Sequence, residues 1–177
     1  SKFIHYHPKT LILNNLEFDH ADIFKNLEHI ETHFHHLVRT VPSQGRIIVN
    51  QESPALKTVI DRGCWSEIEY LGSSAEWDVR EEEIYHHQQK QSPLKWELIG
   101  RHNYMNALAA IAAARHVGIT TENSIEALSQ FKSVKKRMEK IHTINGIELF
   151  DDFAHHPSAI QTTLEGLKKK TASGRII

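Results

Sequence analysis

Thr10-Leu11-Ile12-Leu13-Asn14-Asn15 is a short apolar run that stops on two turn-forming residues, the pattern of a strand buried on both faces. Downstream, Leu27, Ile30, Phe34, Leu37 and Val38 recur at helical spacing, and Pro42 and Gly45 close that segment. Arg46-Ile47-Ile48-Val49-Asn50 is then a second buried strand, so residues 10–50 read as a βαβ unit and the chain as α/β.

Outward from this unit, residues 53–62 read as a helix closed by Gly63. Residues 64–97 are less regular, with short strand candidates at 68–71 and 96–99, and are expected to form a small, partly antiparallel sheet. Gly100 leads into an alanine-rich helix over 104–117, stopped by Gly118, and a second helix follows over 123–131. The basic run 132–137 reads as an interdomain linker. Beyond it, strands 138–144 and 147–150 flank Asn145-Gly146, a hairpin signal. A last helix runs from Pro157 to about 170, with Ile160, Leu164 and Leu167 as an apolar stripe and Lys168-Lys169-Lys170 at its negative end. There is no internal repeat and no low-complexity tract.

The 177 residues suffice for one domain, or for one plus part of another. Hydrophobic residues at 40% and charged residues at 24% are the balance of a globular chain. A formal charge of −1 gives no reason to expect nucleic acid or an anionic membrane as partner, and no apolar run reaches membrane-spanning length. Cys64 is the only cysteine, which rules out a disulfide framework within the chain and suits a reducing cytoplasm. The chain starts at Ser1 without Met and stops at Gly174-Arg175-Ile176-Ile177, which reads as a strand just beginning. An internal piece of a longer protein is therefore expected.

Four stretches carry candidate chemistry. Asn14-Asn15-Leu16-Glu17-Phe18-Asp19-His20-Ala21-Asp22 lies at the C-terminal end of a predicted buried strand, where open α/β sheets bind ligands. His20 between carboxylates could hold a divalent metal that bridges phosphates; alternatively, Asp19 or Asp22 caps the next helix. In Gly100-Arg101-His102-Asn103-Tyr104-Met105-Asn106, an Asn amide can pair with the N6/N7 edge of adenine, or Asn103 is simply a helix cap. Lys135-Lys136-Arg137 could hold phosphates or be a solvated charge run. Asp151-Asp152-Phe153-Ala154-His155-His156-Pro157 sits between a strand and a helix, and could present carboxylate and imidazole to a ligand or cap the helix.

Two readings from other classes stand beside these. The chain has 14 His, and His29, His33 and His36 share one helical face. They read either as zinc ligands in a metal-binding module or as an exposed polar stripe. Lys135-Lys136-Arg137 with Lys168-Lys169-Lys170 could make a basic nucleic-acid binder, though acidic residues elsewhere and the lack of interleaved aromatics weigh against it. No Gly-x-x-x-x-Gly-Lys-[Ser/Thr] loop occurs in the chain.

Taken in order, these stretches, with Phe34-His35-His36-Leu37-Val38-Arg39-Thr40-Val41-Pro42, resemble the Mur ligases over nearly the whole chain. The resemblance implies the later part of a P-loop-type central ATPase domain over residues 1–134 and the start of a Rossmann-like C-terminal domain over 135–177. It implies His20 as a magnesium (Mg2+) ligand. His102, Asn103, Asn106, Arg137 and Asp152 would bind ATP, and His155 and His156 the substrate. Phe18 and Phe153-Ala154 resemble the branch that joins the murein tripeptide L-Ala-γ-D-Glu-meso-diaminopimelate to UDP-N-acetylmuramic acid. The branch that adds L-alanine usually has Pro before Asp-His and Tyr-Gly before the His pair. The implied chemistry is an acyl phosphate attacked by the peptide amine, in a cytoplasmic monomer serving peptidoglycan recycling. Two departures matter: Lys136 stands where relatives commonly have Arg, and His35 or His36 stands where several have a carbamylated Lys, so no carbamate is expected. The family's phosphate loop and metal-binding Glu are not among these residues, so the chain alone is expected to lack ligase activity.

Overall fold

The strand Arg46–Asn50 (β2) keeps Ile47, Ile48 and Val49 out of solvent, and the larger lobe is built around it. In the computed structural model, which describes residues 2–171 and 174–177, Thr10–Leu13 (β1) lies parallel to one edge of β2 and Glu67–Leu71 (β3) parallel to the other. Side chains alternate along a strand, so Ile47 and Val49 face one layer and Ile48 the opposite one. On the first side pack Leu27–Val38 (α1) and Pro54–Asp61 (α2), with Ile30, Val38, Leu56 and Val59 around Ile47 and Val49. On the second lie Arg101–His116 (α3) and Thr121–Ser129 (α4), with Leu108, Ile111 and Ile125 against Ile48, Leu71 and Trp77. Two helical layers therefore flank the sheet, and β2 is buried on both faces as its apolar run predicts. β1, expected to be buried in the same way, is not: it forms an edge of the sheet and leaves Ile12 41% exposed.

Helix starts differ from expectation. Neither Asp19 nor Asp22 caps α1; Asn26 does, its side chain accepting from His29 N at 2.9 Å. α3 begins at Arg101 rather than 104, behind Gly100 at φ 90°, so Asn103 lies inside the first turn and is not the cap. α4 begins at Thr121 because the Thr120 side chain accepts from Asn123 N at 3.2 Å.

The region 64–97 is not a separate small sheet. Trp77–Arg80 (β4), Glu83–His86 (β5) and Gln89–Lys90 (β6) extend the same six-stranded sheet in the order β1-β2-β3-β4-β5-β6. β4 meets β3 in parallel where Leu71 faces Trp77, and β4, β5 and β6 then pair antiparallel. Both hairpins turn on two residues in the left-handed region, Glu81 (φ 47°) with Glu82 (φ 70°) and His87 (φ 46°) with Gln88 (φ 65°). Such turns are ordinarily marked by Asn-Gly, and neither pair carries that mark. Residues 96–99 form no strand; Trp96 instead meets Tyr104 edge-on at 5.4 Å between ring centroids.

Residues 130–138 carry no regular element and lead to a smaller lobe. There Glu139–Ile144 (β7) and Ile147–Asp151 (β8) pair antiparallel across Asn145 (φ 50°) and Gly146 (φ 81°), as expected. Pro157–Thr171 (α5) follows. Residues 174–177, read as an incipient strand, form none. Among the described residues no helix is long and apolar enough to cross a membrane.

Candidate active site in the interlobe cleft

The loop after β1, the start of α3 and the smaller lobe enclose a cleft of about 2650 Å³. His20, His102, Asn103 and Asn106 line it from the larger lobe, Arg137 from the connecting segment, and Asp152, His155 and His156 from the smaller lobe. Residues up to 136 positions apart in sequence thus share one hollow, because β1 ends where α3 begins and the second lobe folds back over both.

Asn103 and Asn106 stand one helical turn apart at the start of α3. Asn106 Oδ1 accepts from Asn14 Nδ2 at 2.5 Å, tying α3 to the loop after β1. Asn103 Nδ2 donates to the Ile99 carbonyl at 2.7 Å. Among the described residues each amide thus has one half engaged and the other available. His102 is half-buried beside them; burial pushes its imidazole below the usual value near 6.5, the Asp152 carboxylate opposes this and Arg137 adds to it. Gly100 has to be glycine here: its φ is 90°, and a Cβ would meet His102 Cε1 at 2.9 Å.

From the other wall, Asp152 accepts from Met138 N at 2.8 Å and from Ala154 N at 2.7 Å, and Phe153 N donates to the Lys136 carbonyl at 2.9 Å. These bonds fasten the loop 151–157 to the segment carrying Arg137. Of the three basic residues, Lys135 and Arg137 line the cleft and Lys136 does not. His155 Nδ1 lies 3.0 Å from the Phe153 carbonyl, while His156 turns to Glu17.

His20 sits at φ 54°, and its carbonyl accepts from Ile23 N and Phe24 N in a tight turn. Asp19 Oδ1 accepts from His20 N at 2.7 Å; that bond, with the nearby imidazoles of His20, His156 and His155, holds the Asp19 carboxyl below its usual value. His20 Nε2 lies 3.9 Å from Asp19 Oδ2. Magnesium prefers six oxygen ligands, and among the described residues no group of three or more His, Cys, Asp or Glu is placed to hold a metal ion. His20 and Asp19 alone therefore do not make a complete magnesium site. The zinc reading of α1 meets the same finding. His29 and His33 face each other, Nε2 to Nε2, at 3.2 Å and pack edge-on against Phe24. They are half-buried partners of an aromatic ring rather than an open stripe.

Two carboxylates escaped the sequence reading as site residues. Glu17 Oε2 accepts from Ser158 Oγ at 2.5 Å and lies 3.1 Å from His156 Nδ1, bridging the lobes. Glu52 takes a two-pronged bond from Arg101, at 2.6 and 2.7 Å, and accepts from Ser73 N and Oγ, anchoring the first residue of α3. Glu17 lies within the stretch 14–22 around His20, but nothing in its local sequence announces a partner 141 residues away.

Comparison with known proteins matches residues 2–114 to the Mur ligase middle domain and residues 136–177 to the Mur ligase, glutamate ligase domain. UDP-N-acetylmuramate--L-alanyl-gamma-D-glutamyl-meso-2,6-diaminoheptandioate ligase of Escherichia coli (strain K12) is 49% identical over 185 residues, covering 100% of this chain and 40% of the relative. UDP-N-acetylmuramate--L-alanine ligase of Desulfitobacterium hafniense (strain Y51) is 35% identical over 185 residues, covering 98% and 40%. The crystal structure of a murein peptide ligase from Psychrobacter arcticus 273-4 superposes with a TM-score of 0.71 at 42% identity, covering 99% of this chain and 38% of that one. The chain thus spans about 40% of the curated relatives it matches. With the fold, the strand-end cleft and both matched domains in agreement, the chain belongs to the Mur ligase family.

Proposed function

We propose that this chain is part of an ATP-dependent ligase that joins the tripeptide L-Ala-γ-D-Glu-meso-diaminopimelate to UDP-N-acetylmuramic acid in cytoplasmic peptidoglycan recycling. Residues 1–134 are the later part of its central ATPase domain and 135–177 the opening of its C-terminal domain, in a monomeric enzyme. The carrying observation is the single hollow lined by His20, His102, Asn103 and Asn106 on one wall and Arg137 and Asp152 on the other. Support for the tripeptide branch comes from the 49% identity to the tripeptide-ligase relative against 35% to the L-alanine ligase, and from Phe18 and Phe153-Ala154.

In this reading the free halves of the Asn103 and Asn106 amides meet adenine, which offers a donor and an acceptor on one edge. Arg137 meets the phosphates, and Asp152 approaches the nucleotide across the cleft, with His102 beside them. His20 would offer one position to a Mg2+ that accompanies ATP, and the ion would offset negative charge on the phosphates. A muramic acid carboxylate oxygen attacks the γ-phosphorus, giving an acyl phosphate and ADP. The peptide amine then attacks the acyl carbon, forming the amide and releasing inorganic phosphate and a proton. Arg137 offsets the charge that builds on the transferred group, and His155 and His156 stand where the substrate would enter.

The test is turnover by the full-length enzyme that contains this chain, given ATP, UDP-N-acetylmuramic acid and either the tripeptide or L-alanine. Tripeptide-dependent release of ADP and phosphate is expected, with none from residues 1–177 alone. Preference for L-alanine would transfer the chain to the other branch, and the absence of ATP-dependent ligation with either would refute the proposal.

A further inference from the structure

Helices α3 and α5, whose first residues line the cleft, share a feature. Like α2, neither has an acidic residue in its own first turn, whereas α1 has Glu28 and α4 has Glu122. A helix N-terminus carries partial positive charge and favours a nearby anion. In both cases a carboxylate arrives from elsewhere: Glu52 reaches Arg101 of α3, and Glu17 reaches Ser158 of α5. The first contact stays within the larger lobe. The second crosses between lobes, with the Ser158 hydroxyl at 2.5 Å and His156 Nδ1 at 3.1 Å from the same oxygen, Glu17 Oε2.

A second contact lies further along the same helix. Gly166 is the buried residue of α5, and a Cβ added to it would stand 3.3 Å from Gly100 Cα and 3.5 Å from Gly100 N. Gly100 is the residue from which α3 departs. Ser158 and Gly166 are eight residues apart, a rise of about 12 Å, so α5 lies on the larger lobe at two separated points. Both points border the candidate site: Glu17 is three residues from His20, and Gly100 is three from Asn103. Because α5 continues directly from the loop 151–156, fixing the helix fixes Asp152 opposite Asn103 and Asn106.

We infer that Glu17 is a positioning residue that docks the smaller lobe over the cleft, clamping the N-terminus of α5 while the Gly100–Gly166 contact sets how closely the helix can approach. The inference rests on the reading of the cleft as a nucleotide site. The Glu17 side chain is 39% exposed, and partly exposed charged contacts are individually weak. That suits a latch that must release product as well as hold substrate.

The experiment uses the full-length enzyme with Glu17→Gln, Ser158→Ala, the double variant and Gly166→Val, plus a cross-linking pair, Glu17→Cys with Ser158→Cys, in a Cys64→Ser background. Glu17→Gln and Ser158→Ala should each lower kcat/KM about two- to five-fold, the range of a partly exposed polar contact, and the double variant should be no worse than either single one. Gly166→Val, which cannot approach Gly100, should lose more. The cysteine pair should cross-link under mild oxidation. Additive losses, or no cross-link in an enzyme that still ligates, would overturn the docking role. A wild-type enzyme without ATP-dependent ligation would instead overturn the nucleotide reading, while the cross-link would still report whether the lobes dock through Glu17.

Discussion

The two lobes differ in how much apolar surface they bury within this chain. In the larger lobe β2 is sealed between helical layers, and Leu56, Leu108, Ile111 and Trp77 have no exposed surface. In the smaller lobe Ile141, Ile144, Ile147 and Leu149 of the hairpin are 42–64% exposed, and Gly166, the buried residue of α5, is covered by the other lobe. Within this chain the larger lobe buries its apolar residues, and the smaller lobe leaves most of its own open.

Several substitutions would break or sharpen this contrast. Leu108→Ala empties a wholly buried site between α3 and the sheet and should cost about 2–5 kcal/mol in urea unfolding. A cost below about 1 kcal/mol would mean that the core is looser than its burial implies. Glu69→Ala comes next. This buried carboxylate accepts from Trp77 Nε1 at 2.5 Å, Arg46 Nη1 at 3.0 Å and Arg115 Nη1 at 3.4 Å. Removing it leaves the buried Trp77 N–H without its acceptor and takes one partner from each Arg, and about 3 kcal/mol is expected, at the low end for a broken buried pair because Arg46 keeps Glu67 and both Arg residues keep access to water.

Acidification should act on the larger lobe as well, less strongly. His86 stacks on Trp77 at 4.1 Å, and burial, then Arg115 and His87, push its imidazole below the usual value near 6.5. The unfolded ring therefore binds a proton that the folded ring refuses. The stability from this group is complete above about pH 6.5 and is lost as the pH falls below it toward the folded value. The Tm should drop between about pH 7.5 and pH 5.5, and His86→Gln should flatten that drop; an unchanged slope would remove His86 as its source. The smallest effect belongs to the hairpin. Ile147→Thr, on an open face, should stay within about 0.5 kcal/mol by the same urea measurement. A larger loss would show that the smaller lobe has a core after all.

Much of the fold was legible because it rests on local pattern. The continuous apolar runs of β1 and β2, the helical spacing of α1, and Asn145-Gly146 all state their structure within a few residues. The β4–β6 ribbon was illegible for an equally local reason. Its turns adopt the left-handed conformation with Glu81-Glu82 and His87-Gln88, residues whose presence says nothing about a turn, and its strands carry charge at positions that the rest of the fold buries, such as Asp78. In the site, the residue types in the stretches around His20, Asn103 and Asp152 were informative, since amide, imidazole and carboxylate at strand and helix ends are chemically suggestive. Their mutual placement was not. The Asn14–Asn106 bond and the Glu17–Ser158 bridge join residues 92 and 141 positions apart, and no local pattern encodes such a distance.

By itself, then, the chain's sequence determined which segments are strands or helices wherever hydrophobic period and turn chemistry agree, and which polar stretches lie at their ends. Only the tertiary structure decided that four of those ends meet in one cleft, and that the carboxylate completing α5 comes from another lobe. The physical reason is that periodicity and capping are governed by neighbours along the backbone. A cleft is assembled instead by packing and electrostatics between surfaces that find each other after the chain has folded.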